Sequence, residues 1–112
     1  MSVIDQTTFE ELKQMSGEEF INELIDTFLE DAPKMIAELK ATLNTRDTDS
    51  FRRAAHSMKS NANTFGAIHL AALAKELEML GRENQLDDAG DKLTALEDAY
   101  DLARDELNGL KS

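Results

Sequence analysis

The chain reads as all-α, an antiparallel four-helix bundle with a short additional N-terminal helix. Three observations carry this. Apolar residues recur at three- and four-residue spacing along most of the chain, the period-two alternation expected of strands is missing, and the 112 residues include only one proline and five glycines. Four long amphipathic stripes with short connections can bury their apolar faces only against one another.

The first helix spans about Gln6 to Met15, with Phe9 and Leu12 inward. Ser16-Gly17-Glu18-Glu19 has the form of a capping box, in which the Ser16 hydroxyl and the Glu19 carboxylate satisfy orphan N–H groups at a helix start. The next helix turns Phe20, Ile21, Leu24, Ile25 and Phe28 inward. Pro33 suits the first turn of a further segment, where its missing N–H costs little, and Ile36, Leu39 and Leu43 form that segment's stripe. The sequence leaves open whether Pro33 kinks or breaks the helix. Asn44 to Asp49 is polar and reads as a loop, with Thr48 or Asp49 capping the helix behind it.

That helix carries Phe51, Ala55, Met58, Ala62 and Phe65 on one stripe and ends at Gly66. At about 100° per residue, Arg52, His56, Lys59 and Asn63 share a face roughly 110° from the stripe's centre, so His56 sits at the edge of the core. A long helix follows with Leu70, Leu73, Leu77 and Leu80 inward. Gly81 to Gly90 reads as a polar linker, and Leu93, Leu96, Tyr100, Ala103, Leu107 and Leu110 form the last stripe. The methionines and Tyr100 fall at helical spacing and read as core.

Composition narrows the function. A length of 112 residues fits a single domain, 1–112, with no room for a nucleotide-binding lobe. The formal net charge of -11, from 23 acidic and 12 basic residues, opposes nucleic acid and anionic membranes as partners. Without cysteine there is no disulfide, thiolate or zinc-thiolate chemistry. No apolar run is long enough to span a membrane, and the N-terminus Met1-Ser2-Val3-Ile4-Asp5 lacks a signal-peptide pattern, so a cytoplasmic protein is expected. The compact ends of the chain, with Gly109 near the end of the last stripe and only Leu110-Lys111-Ser112 beyond it, lead to the expectation of a stand-alone protein rather than a fragment.

The chemistry concentrates in Ala55-His56-Ser57-Met58-Lys59-Ser60-Asn61-Ala62-Asn63-Thr64-Phe65-Gly66-Ala67. An imidazole, with an ordinary pKa of about 6.5, offers a neutral ring nitrogen that can attack phosphorus. A lysine one turn on can offset phosphoryl charge. From Ser50 through Ala74 there is no acidic residue, yet this stretch holds Arg52, Arg53, Lys59 and both histidines of an acidic protein. A cationic surface of this kind suits a phosphoryl group and an acidic docking partner.

This run resembles the signature of histidine-containing phosphotransfer (HPt) domains: His-x-x-Lys-Gly, then small residues, then a glycine closing the helix. His56, Lys59, Ala62 and Gly66 match it, with Ser60 in place of the usual glycine. The resemblance extends from Asp31-Ala32-Pro33 to Leu77-Glu78. It implies a phosphocarrier that takes a phosphoryl group from the aspartate of one receiver domain and passes it to another through His56, with Lys59 beside the phosphate. Arg52, Arg53, Ser60 and Asn63 would form the phosphate and partner surface, and Gly66 would be structural. Ser60, one turn along from His56, is small enough to leave room for a phosphoaspartate.

The protein would be a monomer without kinase activity or a cofactor of its own, magnesium sitting on the receiver partner. Response-regulator receiver domains, and a hybrid histidine kinase, are the implied partners.

If the hairpin turns near Ala67, residues whose numbers sum to about 134 lie level, which sets Glu78 opposite His56 and Lys75 opposite Lys59. A carboxylate there could accept the imidazole N–H and fix its tautomer. In the HPt-like domains of chemotaxis kinases, which this sequence also resembles, an acidic residue at the position of Glu78 has that role. His69, just after the turn, reads as a surface or capping histidine.

Other chemistries lack support. The two histidines form no His-Glu-x-x-His arrangement, Asp47-Thr48-Asp49 is followed by Ser50, Phe51 and Arg52 where calcium ligands belong, and no glycine-rich phosphate loop exists. Two further classes would share the same bundle. A non-catalytic helical adaptor would be indifferent to His56→Gln, and a phosphoacceptor module of a chemotaxis-type kinase would be fed by a kinase domain using ATP.

Overall fold

The described residues form five α-helices: α1 (Gln6–Ser16), α2 (Glu18–Thr45), α3 (Thr48–Phe65), α4 (Ile68–Arg82) and α5 (Ala89–Leu110), with a 3-10 turn at Leu86–Asp88 before the last. The structure is a computed structural model that describes residues 2–111. Met1 and Ser112, the ends of the 1–112 domain read from the sequence, lie outside the described residues. Helices α2 to α5 form the bundle and α1 packs on α2 and α3, so the expected class holds.

The α2 helix is one unbroken element of 28 residues with Pro33 inside it, so no new segment starts at the proline. Proline deprives the Leu29 carbonyl of its donor, but Pro33 is exposed, where water can satisfy that carbonyl. A single stripe, Ile21, Ile25, Phe28, Ala32, Ile36 and Leu39, is buried along its length, and packing over this stripe outweighs the local cost of one proline. Phe20 is not part of it. About 100° around the helix from Ile21, it is 52% exposed.

Local structure differs from the sequence reading at three places. Ser16 is the last residue of α1 rather than a cap, and Gly17, with φ 87°, is the whole connection to α2 and makes no side-chain cap bond. Only a residue free to adopt positive φ can turn the chain in one step, so the capping box does not form. At the next turn α2 extends through Thr45, Arg46 takes the left-handed conformation, and Asp47 rather than Thr48 or Asp49 caps α3, accepting from the Ser50 N–H at 3.2 Å. The expected linker Gly81 to Gly90 is shorter, because Gly81 and Arg82 end α4, Ala89 and Gly90 begin α5, and a 3-10 turn at Leu86–Asp88 lies between.

Phe51, Ala55, Met58, Ala62 and Phe65 of α3 are all buried, as are Leu70 and Leu77 of α4 and Leu93, Leu96, Tyr100, Ala103 and Leu107 of α5. Phe28 joins these stripes, its ring 5.2 Å from Phe65 and edge-on to Tyr100 at 6.1 Å. Leu12, Leu24, Leu43, Leu73, Leu80 and Leu110 are partly buried at the margin. Met58 is core, but Met15 is 85% and Met79 45% exposed, so spacing alone misplaces two methionines. His69 is exposed in the first turn of α4, and no side chain caps that helix.

The end of α3 fixes the hairpin that matters most. Gly66 adopts φ 79° and ends the helix with its N–H bonded back to the last turn. Its carbonyl accepts from the Asp5 N–H at 2.8 Å, and a side chain at this position would meet Asp5 and Thr8 at 3.0–3.3 Å. Glycine is therefore needed here twice, for its φ and for the close passage of the N-terminal segment.

Candidate functional site

The α3–α4 hairpin pairs residues 52 with 81 and 56 with 78, sums of 133 and 134. Buried Gly81 is what allows the approach: a Cβ there would lie 3.1 Å from the Cβ and 3.2 Å from the Cα of Arg52. Taking Gly81 as linker misses this. The signal is in the sequence, because Gly81 falls four residues after Leu77 and seven after Ala74 on the buried face of α4.

Close packing brings the Glu78 carboxylate under the exposed face of α3. Glu78 is only 4% exposed, while its three partners reach it from the rim. One oxygen, Oε2, lies 2.8 Å from His56 Nδ1, and the other, Oε1, accepts from Lys59 Nζ at 2.5 Å. Arg82, one turn along α4, donates to Oε2 at 3.5 Å and is not among the residues expected from the sequence, although its i,i+4 relation to Glu78 is visible there. The Lys59 ammonium thus engages Glu78 rather than simply lying level with Lys75.

Burial pushes the Glu78 carboxyl up, but the hydrogen bonds and charges of Lys59 and His56 outweigh it, so the group lies below the usual carboxylate range and is ionised at neutral pH. An ionised carboxylate only accepts, so His56 Nδ1 must carry a proton. In the neutral ring the lone pair is then on Nε2. The His56 side chain is 56% exposed, well clear of the core that holds Glu78.

The remaining residues of the predicted surface divide between two flanks. Arg52 and Arg53 both pair with Asp49, at 2.9 and 3.2 Å, which holds the Asp49 carboxyl below its ordinary range and tempers the cationic stretch. Arg53 lies toward α2, lining a groove with Met35, Glu38 and Ser57, whereas Arg52 packs at Gly81 on the α4 side. Ser60 and Asn63 are exposed on the same face of α3 as His56. The cluster at Glu78 therefore gathers His56, Lys59 and Arg82, and does not include Arg53, Ser60 or Asn63.

Comparison with known proteins identifies the family. The Hpt domain family model matches residues 23–106. The phosphorelay protein LuxU of Vibrio harveyi is 26% identical over 103 residues, covering 92% of this chain and 90% of that protein. The crystal structure of histidine-containing phosphotransfer protein B (HptB) from Pseudomonas aeruginosa PAO1 superposes with a TM-score of 0.91 at 28% identity, covering 96% of this chain and 93% of that one. With the family match spanning α3, α4 and most of the other bundle helices, the chain belongs to the Hpt domain family and has a histidine phosphotransfer role in a two-component phosphorelay.

Proposed function

We propose that His56 is the phosphoacceptor and that the protein carries the group between aspartates of response-regulator receiver domains, one of them attached to or fed by a hybrid histidine kinase. The observation that carries this is the half-exposed imidazole whose Nδ1 is held 2.8 Å from a buried, ionised Glu78.

The step balances without moving a proton. The Nε2 lone pair attacks the phosphorus of an aspartyl phosphate, the N–P bond forms as the P–O bond breaks, and the aspartate leaves as a carboxylate. The ring keeps its Nδ1 proton and gains positive charge, which Glu78 faces directly. Reversal hands the group to the next aspartate. Lys59 has N–H donors beyond the one given to Glu78 and would turn them to the phosphoryl oxygens. In this reading magnesium sits on the receiver and the phosphoryl group comes from its aspartate rather than from ATP, the protein serving as a monomeric carrier.

The test is phosphoryl transfer from a panel of phosphorylated receiver domains to the wild type and to His56→Gln. The expected result is an acid-labile, alkali-stable label on the wild type only. Labelling of His56→Gln would remove His56 from the role, and wild-type protein that no receiver labels would favour the adaptor.

A further inference from the structure

The two flanks of His56 are not equivalent. Glu78 holds Nδ1 on the α4 side, and α3 also packs against α2. Taking about 100° per residue, Arg53 and Ser57 lie on the α2 side of His56, and Arg52 and Lys59 on the α4 side. Between α2 and α3, next to His56, runs an open groove of about 420 Å³ lined by Met35, Glu38, Ser50, Arg53, Ala54 and Ser57. Arg53 precedes His56 by three residues, about 4.5 Å of axial rise. The groove begins within a helical turn of His56, so a protein domain docked over that side chain, with an interface of about 800 Å² per partner, extends onto it.

The groove carries opposite charges that do not neutralise each other. Arg53 pairs with Asp49 on its own helix, both side chains well exposed, and Glu38 has no ion-pair partner among the described residues. Such a solvated i,i+4 pair is worth little and exchanges readily. Buried Ala54 and half-buried Met35 supply an apolar floor between the charges.

We infer that Glu38 and Arg53 select the partner, the groove taking a receiver-domain surface that presents an apolar side chain flanked by a base for Glu38 and an acid for Arg53. This rests on His56 being the phosphoacceptor. Charges at an interface rim act mainly on encounter and on exclusion of wrong partners, so their reversal should slow docking without touching the imidazole.

Two phosphodonors separate docking from chemistry: a phosphorylated receiver domain that labels the wild type, and phosphoramidate, which is too small to need the groove. Glu38→Arg and Arg53→Glu should each slow receiver transfer about tenfold, more steeply at low salt, and Ser57→Tyr should slow it further. Phosphoramidate labelling should stay within about twofold of wild type, with helicity unchanged. Lys75→Glu, a matched charge reversal on exposed α4, should leave receiver transfer within about twofold.

Groove variants that accept from the receiver at the wild-type rate, or a larger loss in Lys75→Glu, would overturn the inference. Parallel loss of phosphoramidate labelling in Glu38→Arg and Arg53→Glu would also overturn it, by placing these residues in the chemistry. If instead neither phosphoramidate nor any receiver domain of the panel labels the wild type, it is the assignment of His56 that fails.

Discussion

Glu78 and Glu106 are two carboxylates under the same pressure, and they answer it with different donors. Burial pushes both up, and hydrogen bonds bring both below the usual range. Glu106 of α5 takes its bonds from the N-terminal segment: the Ser2 hydroxyl, the Val3 N–H at 2.9 Å, the Ile4 N–H at 3.2 Å and the Gln6 amide at 3.3 Å. Glu78 takes its bonds from three side chains, His56, Lys59 and Arg82. Two of the Glu106 donors are backbone N–H groups, which cannot leave without unravelling the chain, so Glu106 works as a clasp that holds buried Ile4 against the bundle. Side-chain donors can turn to a new ligand while the helices stay in place. The difference separates a carboxylate that fastens the fold from one that can serve a reaction.

The largest expected effect breaks this contrast at Glu78. Glu78→Gln removes the charge facing the ring and should slow transfer to His56 by roughly a hundredfold, the scale seen when one preorganised electrostatic partner is lost. Glu106→Ala should leave that rate within about twofold. It should instead cost about 1–2 kcal/mol of stability, lowering Tm by roughly 5–10 °C. Transfer rates and melting curves on the two variants check both statements, and a rate loss in Glu106→Ala would mean that the clasp reaches the site.

Glycines extend the comparison to packing. Gly81→Ala places a methyl against the backbone of Arg52, which cannot yield as a flexible side chain would, and should cost about 1–3 kcal/mol and slow transfer as α4 moves from His56. At Gly90 a Cβ meets nothing within 4 Å, so Gly90→Ala should stabilise by about 0.5 kcal/mol. Denaturant unfolding of the pair measures the difference directly.

Acid sharpens it further. The folded-state pKa of Glu78 is depressed below the unfolded value of about 4.3. The unfolded chain therefore binds the proton more readily, and the Glu78 contribution is present above that value and lost as pH falls through the folded one. Stability of Glu78→Gln should then depend less on pH below about 5 than that of the wild type. The same sign holds for Glu106→Gln, with a smaller change because Glu106 is more exposed and better screened. Equilibrium unfolding at a series of pH values tests this. Smallest of all is Arg82→Ala, which removes a 3.5 Å contact from a 66% exposed side chain and should change stability by at most about 0.5 kcal/mol.

Much of this is legible in the sequence, for reasons that vary by residue. Stripes such as Phe51 to Phe65 repeat often enough that one misplaced residue does not alter the pattern. Hairpin arithmetic sets Glu78 level with His56 because two helices joined at one turn have a single register. The same arithmetic says nothing of Arg82, which reaches Glu78 along α4 rather than across the hairpin. Ser16 followed by Glu19 satisfies a local rule that the Gly17 corner overrides, and Phe20 lies one residue off a face whose direction only packing decides.

Helical class, the His56–Lys59 spacing and the closing glycine at 66 are written in the chain itself, because helical period and glycine's freedom are local properties. Tertiary structure decided that Pro33 sits inside one long helix, that Gly81 admits α4 to within contact of Arg52, and that a buried carboxylate sets which imidazole nitrogen is free. Each of those depends on how closely two helices approach, a quantity set by all the side chains between them at once.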